Sequence, residues 1–387
     1  MLQRPIDVLD ERDLLALVAN HVAEDRGLEF KRDLPGKTAA DVKEYLADVT
    51  SLANSQGGDL IFGIEDHAGV ASATPGVASD DPDGELLRLE SSLRDGVEPR
   101  LSGVRMRWIS LATGRGAIII RVPAGLAAPH RVKFQNSGRF YSRNSRGKYE
   151  MDTHELRLAF TASEELPARI RELHKRAVVA ADGSDMPFRI DDAPRAVVSI
   201  IPLGFFRERR DLDITPANAV APFRVAGEMD AIHMLEGILL HTKLNEDTVP
   251  QASYNAVRSY ALTHRMGRTD AAWTIGKTVQ ICKGTESPRV WPKLFESGLL
   301  DMARTTAAKL REFTIEGPWV VLATISGVKG FELVLGERVT APPAWRDGAT
   351  LPDLIVDRLD ADSLTPVFKA FWLLFGTPRP HNPDYTP

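Results

Sequence analysis

Glu24, Glu29 and Lys31 lie within one short segment, Glu24-Asp25-Arg26-Gly27-Leu28-Glu29-Phe30-Lys31. If Leu28–Lys31 is a strand, side-chain alternation sends Leu28 and Phe30 into a core and leaves Glu29 and Lys31 together on the other face. Two carboxylates and an ammonium at one sheet edge have the chemistry to hold a Mg2+ or Mn2+ ion with a phosphate beside it. The same pattern also describes a solvated face whose ion pair is worth little, so the segment alone does not choose. A third acid follows a separate buried run, where Leu60-Ile61-Phe62-Gly63-Ile64 leads into Glu65-Asp66. An acid at the carboxyl end of a buried strand is a frequent ligand position, although Asp66-His67-Ala68-Gly69 reads equally as a hairpin turn.

The stretch Pro129–Tyr149 carries Arg131, Lys133, Arg139, Arg143, Arg146 and Lys148 and no acidic residue, with Phe134, Phe140, Tyr141 and Tyr149 interleaved. In a chain of net charge −5 this is a local positive stripe with stacking surfaces, suited to a phosphate backbone with unpaired bases. A basic loop with core aromatics is the plainer alternative. His130 has no neighbouring Ser or Cys nucleophile. No Walker A loop, Gly-x-Gly-x-x-Gly turn or His-Glu-x-x-His helix occurs, which disfavours nucleophilic triads and zinc hydrolases.

The elements that must position these residues alternate between helix and strand. Leu14, Leu15, Leu17 and Val18 sit at helical spacing, and a helix from Ala39 to about Ser55 carries Val42, Tyr45, Leu46, Val49, Leu52 and Ala53 as its apolar stripe. Gln56-Gly57-Gly58 ends it. A third helix spans Asp80–Asp95; strands near Val104–Ser110 and Ala117–Val122 form a hairpin about Gly114-Arg115-Gly116, and Phe140–Arg143 is a last strand. Asp152 and Glu155 form a capping box for Thr153–Phe160. A separate helix, Leu166–Val179, leads into a polar linker ending at Asp185. Beyond it lie strand candidates Ala196–Pro202, Ala271–Thr278, Trp319–Thr324 and Gly330–Leu335, and a long helix from Trp291 to Phe313.

With 387 residues, 43% hydrophobic and 26% charged, the chain is expected to hold two globular domains. It has no run of eighteen apolar residues, which excludes a transmembrane helix, and its N-terminal residues have the pattern of neither a signal nor a transit peptide. The single cysteine, Cys282, cannot form an intrachain disulfide or a Cys-rich zinc site. A cytoplasmic protein is expected. The slight excess of acid, 53 against 48 basic residues, excludes coating nucleic acid by bulk charge.

Taken in order, these fragments resemble the Schlafen AlbA-2 domain family. The resemblance is carried by Glu24 and Glu29-Phe30-Lys31, Ala53-Asn54-Ser55-Gln56-Gly57-Gly58, and Phe62-Gly63-Ile64-Glu65-Asp66. Val122-Pro123, Pro129-His130, Phe140-Tyr141-Ser142-Arg143 and Met151-Asp152-Thr153-His154-Glu155-Leu156 follow. It covers Glu24–Phe160 and implies a compact α/β domain that binds nucleic acid. In the animal Schlafen nucleases the related domain cuts tRNA and rRNA with three metal-binding carboxylates, which match Glu24, Glu29 and Asp66 here. Bacterial relatives are described as DNA-binding regulators or ATP-binding proteins; the absence of a phosphate-binding loop argues against ATP.

The resulting expectation is a Schlafen AlbA-2 domain over residues 1–165, a helix and linker over 166–184, an α+β domain over 185–376 and a loose tail over 377–387. Its leading function is nucleic-acid binding, extending to metal-dependent cleavage of structured RNA such as tRNA. In that scheme Glu24, Glu29 and Asp66 hold Mg2+ or Mn2+, and Lys31 offsets charge on the phosphoryl oxygens. Arg131, Lys133, Arg139, Tyr141, Arg143, Arg146 and Lys148 seat the RNA or DNA. The alternatives are a non-catalytic DNA-binding regulator and a protein-interaction module. The animal enzymes pair two such lobes in one chain, and one is recognised here, so either two chains associate, the second half supplies the other wall, or the protein binds without cutting; a homodimer is the expectation.

Overall fold

The structure, a computed structural model, describes residues 2, 4–125, 127–135, 137–144, 147–206, 211–223, 228–243, 256–282, 284–313, 315–336 and 339–381. It is of the α+β class. The chain divides into two units, Met1–Pro167 with Phe206–Glu208, and Ala168–Phe205 with Arg209–Pro387.

In the first unit the elements are α1 (Glu11–Ala19), β1 (Leu28–Lys31), α2 (Ala39–Ala53), β2 (Gly58–Phe62), β3 (Glu65–His67), β4 (Val70–Ala73), α3 (Pro82–Gly96), β5 (Val97–Glu98), β6 (Arg105–Ser110), β7 (Gly116–Val122), β8 (Arg131–Val132), β9 (Arg139–Asn144) and β10 (Gly147–Glu150). One sheet runs β1-β2-β7-β6 and a second β10-β9-β8-β5; β3 and β4 form a hairpin. Strands β1 and β2 are parallel, with Glu29 opposite Leu60, and α2 makes the crossover between them. Thr38 and Asp41 cap α2 reciprocally.

Alternation places two cores on opposite faces of the first sheet. Leu60, Phe62, Ile118 and Ile120 pack with Leu46, Val49 and Leu52 of α2, whereas Leu28, Phe30, Ile61 and Ile119 pack with Leu14 and Leu17 of α1. Since Leu28 and Phe30 face α1, Glu29 and Lys31 face the α2 side. After α2 the backbone turns sharply through Gly57, at φ +81°. A Cβ on Gly58 would lie 2.5 Å from the carbonyl oxygen of Gly27, so the paired glycines permit a close crossing of backbone by β1.

A helix of 29 residues, α4 (Thr153–Ala181), begins at the Asp152–Glu155 box. The sequence suggested two helices with a break near Leu166. Pro167 lies inside one continuous helix, because Leu166, Ile170, His174, Ala177 and Ala181 form a single buried stripe through it.

The second unit contains β11 (Arg189–Ile190), β12 (Arg195–Pro202), β13 (Met229–His233), β14 (Gly237–Thr242), β15 (Ala256–Val257), β16 (Ser259–His264), β17 (Thr269–Thr274), β18 (Gly276–Cys282), β19 (Thr285–Val290), α5 (Pro292–Glu312), β20 (Trp319–Ser326), β21 (Glu332–Gly336), β22 (Val339–Thr340), β23 (Ala349–Thr350), β24 (Leu354–Val356) and α6 (Ala361–Leu373). Its main sheet runs β13-β14-β16-β17-β12-β20-β23, with β24 also on β20. Val198, Ile200, Trp273, Val321 and Ala323 meet Phe295, Leu299, Met302, Val367 and Phe371 of α5 and α6 on one face; Val197, Leu239, Tyr260 and Ala272 meet Ala177 and Ala181 of α4 on the other.

The single strand expected over Ala271–Thr278 is two strands, because Ile275 bonds to Pro194 and the chain then leaves for a second sheet, β18-β19-β21-β22. Arg379, in the segment expected to be loose, forks onto buried Glu296 at 2.9 and 2.7 Å. Residues 382–387 lie outside the described residues.

Candidate functional site

Glu29 on β1 is 9% exposed and has both carboxylate oxygens engaged by cations: Lys31 Nζ reaches Oε1 at 2.6 Å and Arg143 Nη2, from β9, reaches Oε2. The Arg143 side chain is 1% exposed, and its Nε and Nη1 have no hydrogen-bond partner among the described residues. Burial works against the Glu29 charge, but Arg143 and then Lys31 hold its carboxyl below the usual range. Beyond Lys31, the chain of alternating charge continues into α2. Lys31 lies 3.9 Å from Asp48, Asp48 accepts from Lys148 at 2.7 Å, and Lys148 also meets Glu44. Burial pushes the Asp48 carboxyl up despite Lys148 and Lys31.

Asp48 was absent from the residues singled out in the sequence. The available signal was an acid lodged inside the apolar stripe of α2, between Tyr45 and Leu52. Asn54 and Ser55, part of the motif that carries the family resemblance, position β8 and β9. Asn54 Nδ2 donates to the carbonyls of His130 and Tyr141, both at 2.8 Å, and its Oδ1 accepts from the His130 amide at 2.6 Å. Ser55 Oγ accepts from the Arg143 amide at 3.0 Å. These bonds register the end of α2 against the strand that delivers Arg143 to Glu29. His130 is a buried structural residue whose Nδ1 meets the Pro99 carbonyl.

Glu24 and Asp66 meet at the β3–β4 hairpin. Asp66 accepts from the Gly69 amide at 2.9 Å, Glu24 donates its own amide to the Gly69 carbonyl at 2.7 Å, and Glu24 Oε1 accepts from the Phe30 amide at 2.7 Å. Burial, then Glu29 and Asp66, push the Glu24 carboxyl up to about 7, against the Phe30 bond and Lys31. The three acids therefore share one neighbourhood at the edge of β1. They do not form a ready cation cage: among the described residues no group of three His, Cys, Asp or Glu side chains is arranged to hold a metal ion. With both oxygens of Glu29 taken by Lys31 and Arg143, the side chains as they stand do not fit the Mg2+ or Mn2+ that the resemblance implies.

The raised Glu24 carboxyl has a consequence for stability. Between pH 4.5 and about 7 the folded domain keeps a proton that the unfolded chain releases, so this group's contribution is full below pH 4.5 and is lost as pH rises through about 7. Glu24→Gln keeps an acceptor for Phe30 and removes the repulsion from Glu29 and Asp66. We expect its Tm to equal wild type near pH 4.5 and to exceed it by about 2–4 °C at pH 8, on the order of 1 kcal/mol after discounting for solvent. Thermal unfolding at the two pH values checks this; equal Tm values at pH 8 contradict it.

The cations of the stripe are distributed between two environments. Arg131 Nε donates to Glu98 at 3.0 Å, Lys133 lies 3.5 Å from the same carboxylate, and Arg139 donates to Glu150 at 2.9 Å, all at the surface. Arg143 and Lys148 belong to the buried network instead. Arg146 lies outside the described residues. Tyr141 is partly buried and packs against the α2 core, as does Phe134; Phe140 stacks edge-on with Phe160, and Tyr149 donates to Glu155. Most of the stripe's aromatic surface thus serves packing. No helix among the described residues is long and apolar enough to cross a membrane.

Residues 24–152 match the sequence model of the family described as Schlafen, AlbA_2. No curated protein matches the chain. Among solved structures, the DIP2311 protein from Corynebacterium diphtheriae is 18% identical, with 36% of this chain and 29% of that one covered and a TM-score of 0.25. The N-terminal domain of a protein from Nitrosomonas europaea, described as related to the ATP-dependent DNA helicase RecG, is 22% identical, with 38% of this chain and 94% of that domain covered and a TM-score of 0.28.

Proposed function

We propose that the Schlafen AlbA_2 domain at residues 24–152 binds RNA or DNA, with Arg131, Lys133 and Arg139 taking backbone phosphates. The observation that carries this reading is the contrast between the two kinds of ion pair. Arg131, Lys133, Arg139, Glu98 and Glu150 have side chains 43–62% exposed. Such pairs contribute about 0–1 kcal/mol, so a phosphate can replace the carboxylate at little cost. Arg143 and Lys148 are committed to buried carboxylates and are not available in the same way.

Cleavage is the finer reading, and the clustering of Glu24, Glu29 and Asp66 favours it. The engagement of Glu29 by Arg143 and Lys31 weighs against it, so binding is placed first and no metal-dependent step is written. One experiment separates the two. Labelled tRNA and single-stranded DNA are incubated with the full chain with and without Mn2+, while binding is followed by anisotropy across a salt series.

Joint replacement Arg131→Glu and Arg139→Glu should weaken binding about tenfold or more and lower the slope of log affinity against log salt by about 2. Wild-type binding should persist without Mn2+, and the tRNA should stay intact. Mn2+-dependent cleavage that disappears in Asp66→Asn would overturn the binding-only reading. Asp66 is the better probe because it is exposed, and its amide isostere can still accept from Gly69.

A further inference from the structure

We infer that the second unit carries its own contact for an unpaired nucleobase, built from Trp345 with Arg346 and Lys329; this rests on the nucleic-acid reading above. Trp345 is 67% exposed, whereas tryptophan is highly buried on average. Its ring is exposed to solvent, and the residues on either side of it are hydrogen-bonded. Ala344 donates to the Phe331 carbonyl at 2.8 Å, Gly330 donates to the Ala344 carbonyl at 2.8 Å, and Val328 donates to the Asp347 carbonyl at 2.9 Å. Ala344 and Val328 are themselves buried in the core beneath α5 and α6. The loop is therefore pinned on both sides of the indole, which is presented to solvent in advance and loses little freedom on binding.

The charge around the ring selects the partner. The Arg346 guanidinium carbon stands 4.1 Å from the Trp345 ring centroid. Lys329 is exposed on the turn that Gly330 and Phe331 tie to Ala344. Neither Arg346 nor Lys329 forms an ion pair among the described residues. Asp347 is the one acid within the loop 344–348. An aromatic face flanked by cations without carboxylate partners is the combination that stacks a base while its phosphate is neutralised, without regard to base identity. In the first unit, Arg131, Lys133 and Arg139 have carboxylate partners, and the aromatics around them are largely engaged in packing. The first unit is thus assigned phosphate contacts alone, and the second a base-stacking face with its own cations.

The test uses the full chain and two fluorescein-labelled probes, an oligouridylate of about 12 residues, within the range of single-strand site sizes, and an abasic sugar-phosphate oligomer of equal length. Trp345→Ala should weaken binding of the base-bearing probe by about tenfold to a hundredfold and leave the abasic probe unaffected. Trp345→Phe should restore most of the loss. Lys329→Gln should lower the salt slope for both probes by about 1. If Trp345→Ala binds both probes as wild type does while Arg131→Glu with Arg139→Glu still weakens them, the base contact is overturned and the phosphate reading stands. The exposed indole is then left to a protein partner. If wild type binds neither probe, both readings fall.

Discussion

Glu29→Gln is expected to destabilise the first unit by about 3–5 kcal/mol. The substitution is nearly isosteric, so little of this comes from lost packing. It arises because Arg143, with a side chain 1% exposed, has no carboxylate besides Glu29 and two of its nitrogens lack partners among the described residues. Removing the anion leaves a buried guanidinium uncompensated. Pairing Glu29→Gln with Arg143→Met should recover much of the loss, because the double change removes both charges from the interior. Urea unfolding of the two single variants and the double variant measures the coupling. A cost for Glu29→Gln under about 1 kcal/mol would show that the pair behaves like a surface one.

A loss of binding or cleavage in Glu29→Gln would mix chemistry with instability, whereas exposed Asp66 and the surface cations separate them.

In the second unit, Asp270→Asn is expected to cost about 3–5 kcal/mol for a related reason. Asp270 on β17 is 4% exposed and gathers three donors: Ser199 Oγ at 2.6 Å, His264 Nε2 at 2.7 Å and Arg268 Nη2 at 3.1 Å. Burial opposes its charge, yet Arg268, then His264 and Ser199, hold the carboxyl down to about 2. The hydrogen bonds have a direction. Because Ser199 gives its proton to Asp270, it can only accept from His174 Nδ1, 2.9 Å away, so neutral His174 carries its proton on Nδ1. Nε2 then accepts from Thr324 at 2.9 Å, and Thr324 in turn meets Thr350 at 2.9 Å. An asparagine cannot accept from all three donors, and it leaves Arg268 as a buried charge.

Burial also pushes His174 and His264 below the ordinary histidine value, in both cases against Asp270. The folded unit therefore binds fewer protons than the unfolded chain. The histidine contribution is full above about pH 6.5 and declines as pH falls below it. The Asp270 contribution is full above about pH 3.8 and is lost toward pH 2. Urea titrations of wild type and Asp270→Asn between pH 8 and pH 2 check both statements. A wild-type midpoint that does not fall between pH 7 and pH 5 contradicts the first.

Much of the first unit was legible from local pattern. Alternation in Leu28–Lys31, the stripe from Tyr45 to Ala53, the hairpin about Gly114 and the box at Asp152 each depend on neighbours within a few positions, and each element is present. The family resemblance was likewise read from short ordered motifs, and residues 24–152 match the family's sequence model. Less of the second unit was readable: α6 and the strands β13, β14 and β16 were not anticipated, and α4, which runs on into this unit, was read as two helices. Their stability comes from packing on a sheet whose strands are drawn from across some 160 residues, Arg195 to Val356.

What the sequence by itself determined was which residue types could do chemistry and which face of each element they occupy, because periodicity is a property of adjacent residues. Only the tertiary structure decided how their charges are used. The stretch Pro129–Tyr149 holds no acid along the chain, but Glu29 meets Arg143 across 114 positions and Asp48 meets Lys148 across 100. An ionic interaction depends on separation in space and on the surrounding dielectric, and neither is encoded in a run of letters. A stripe that reads as free cation is therefore, in the folded protein, one part exposed ion pairs at the surface and one part buried network holding β1, α2 and β9 together.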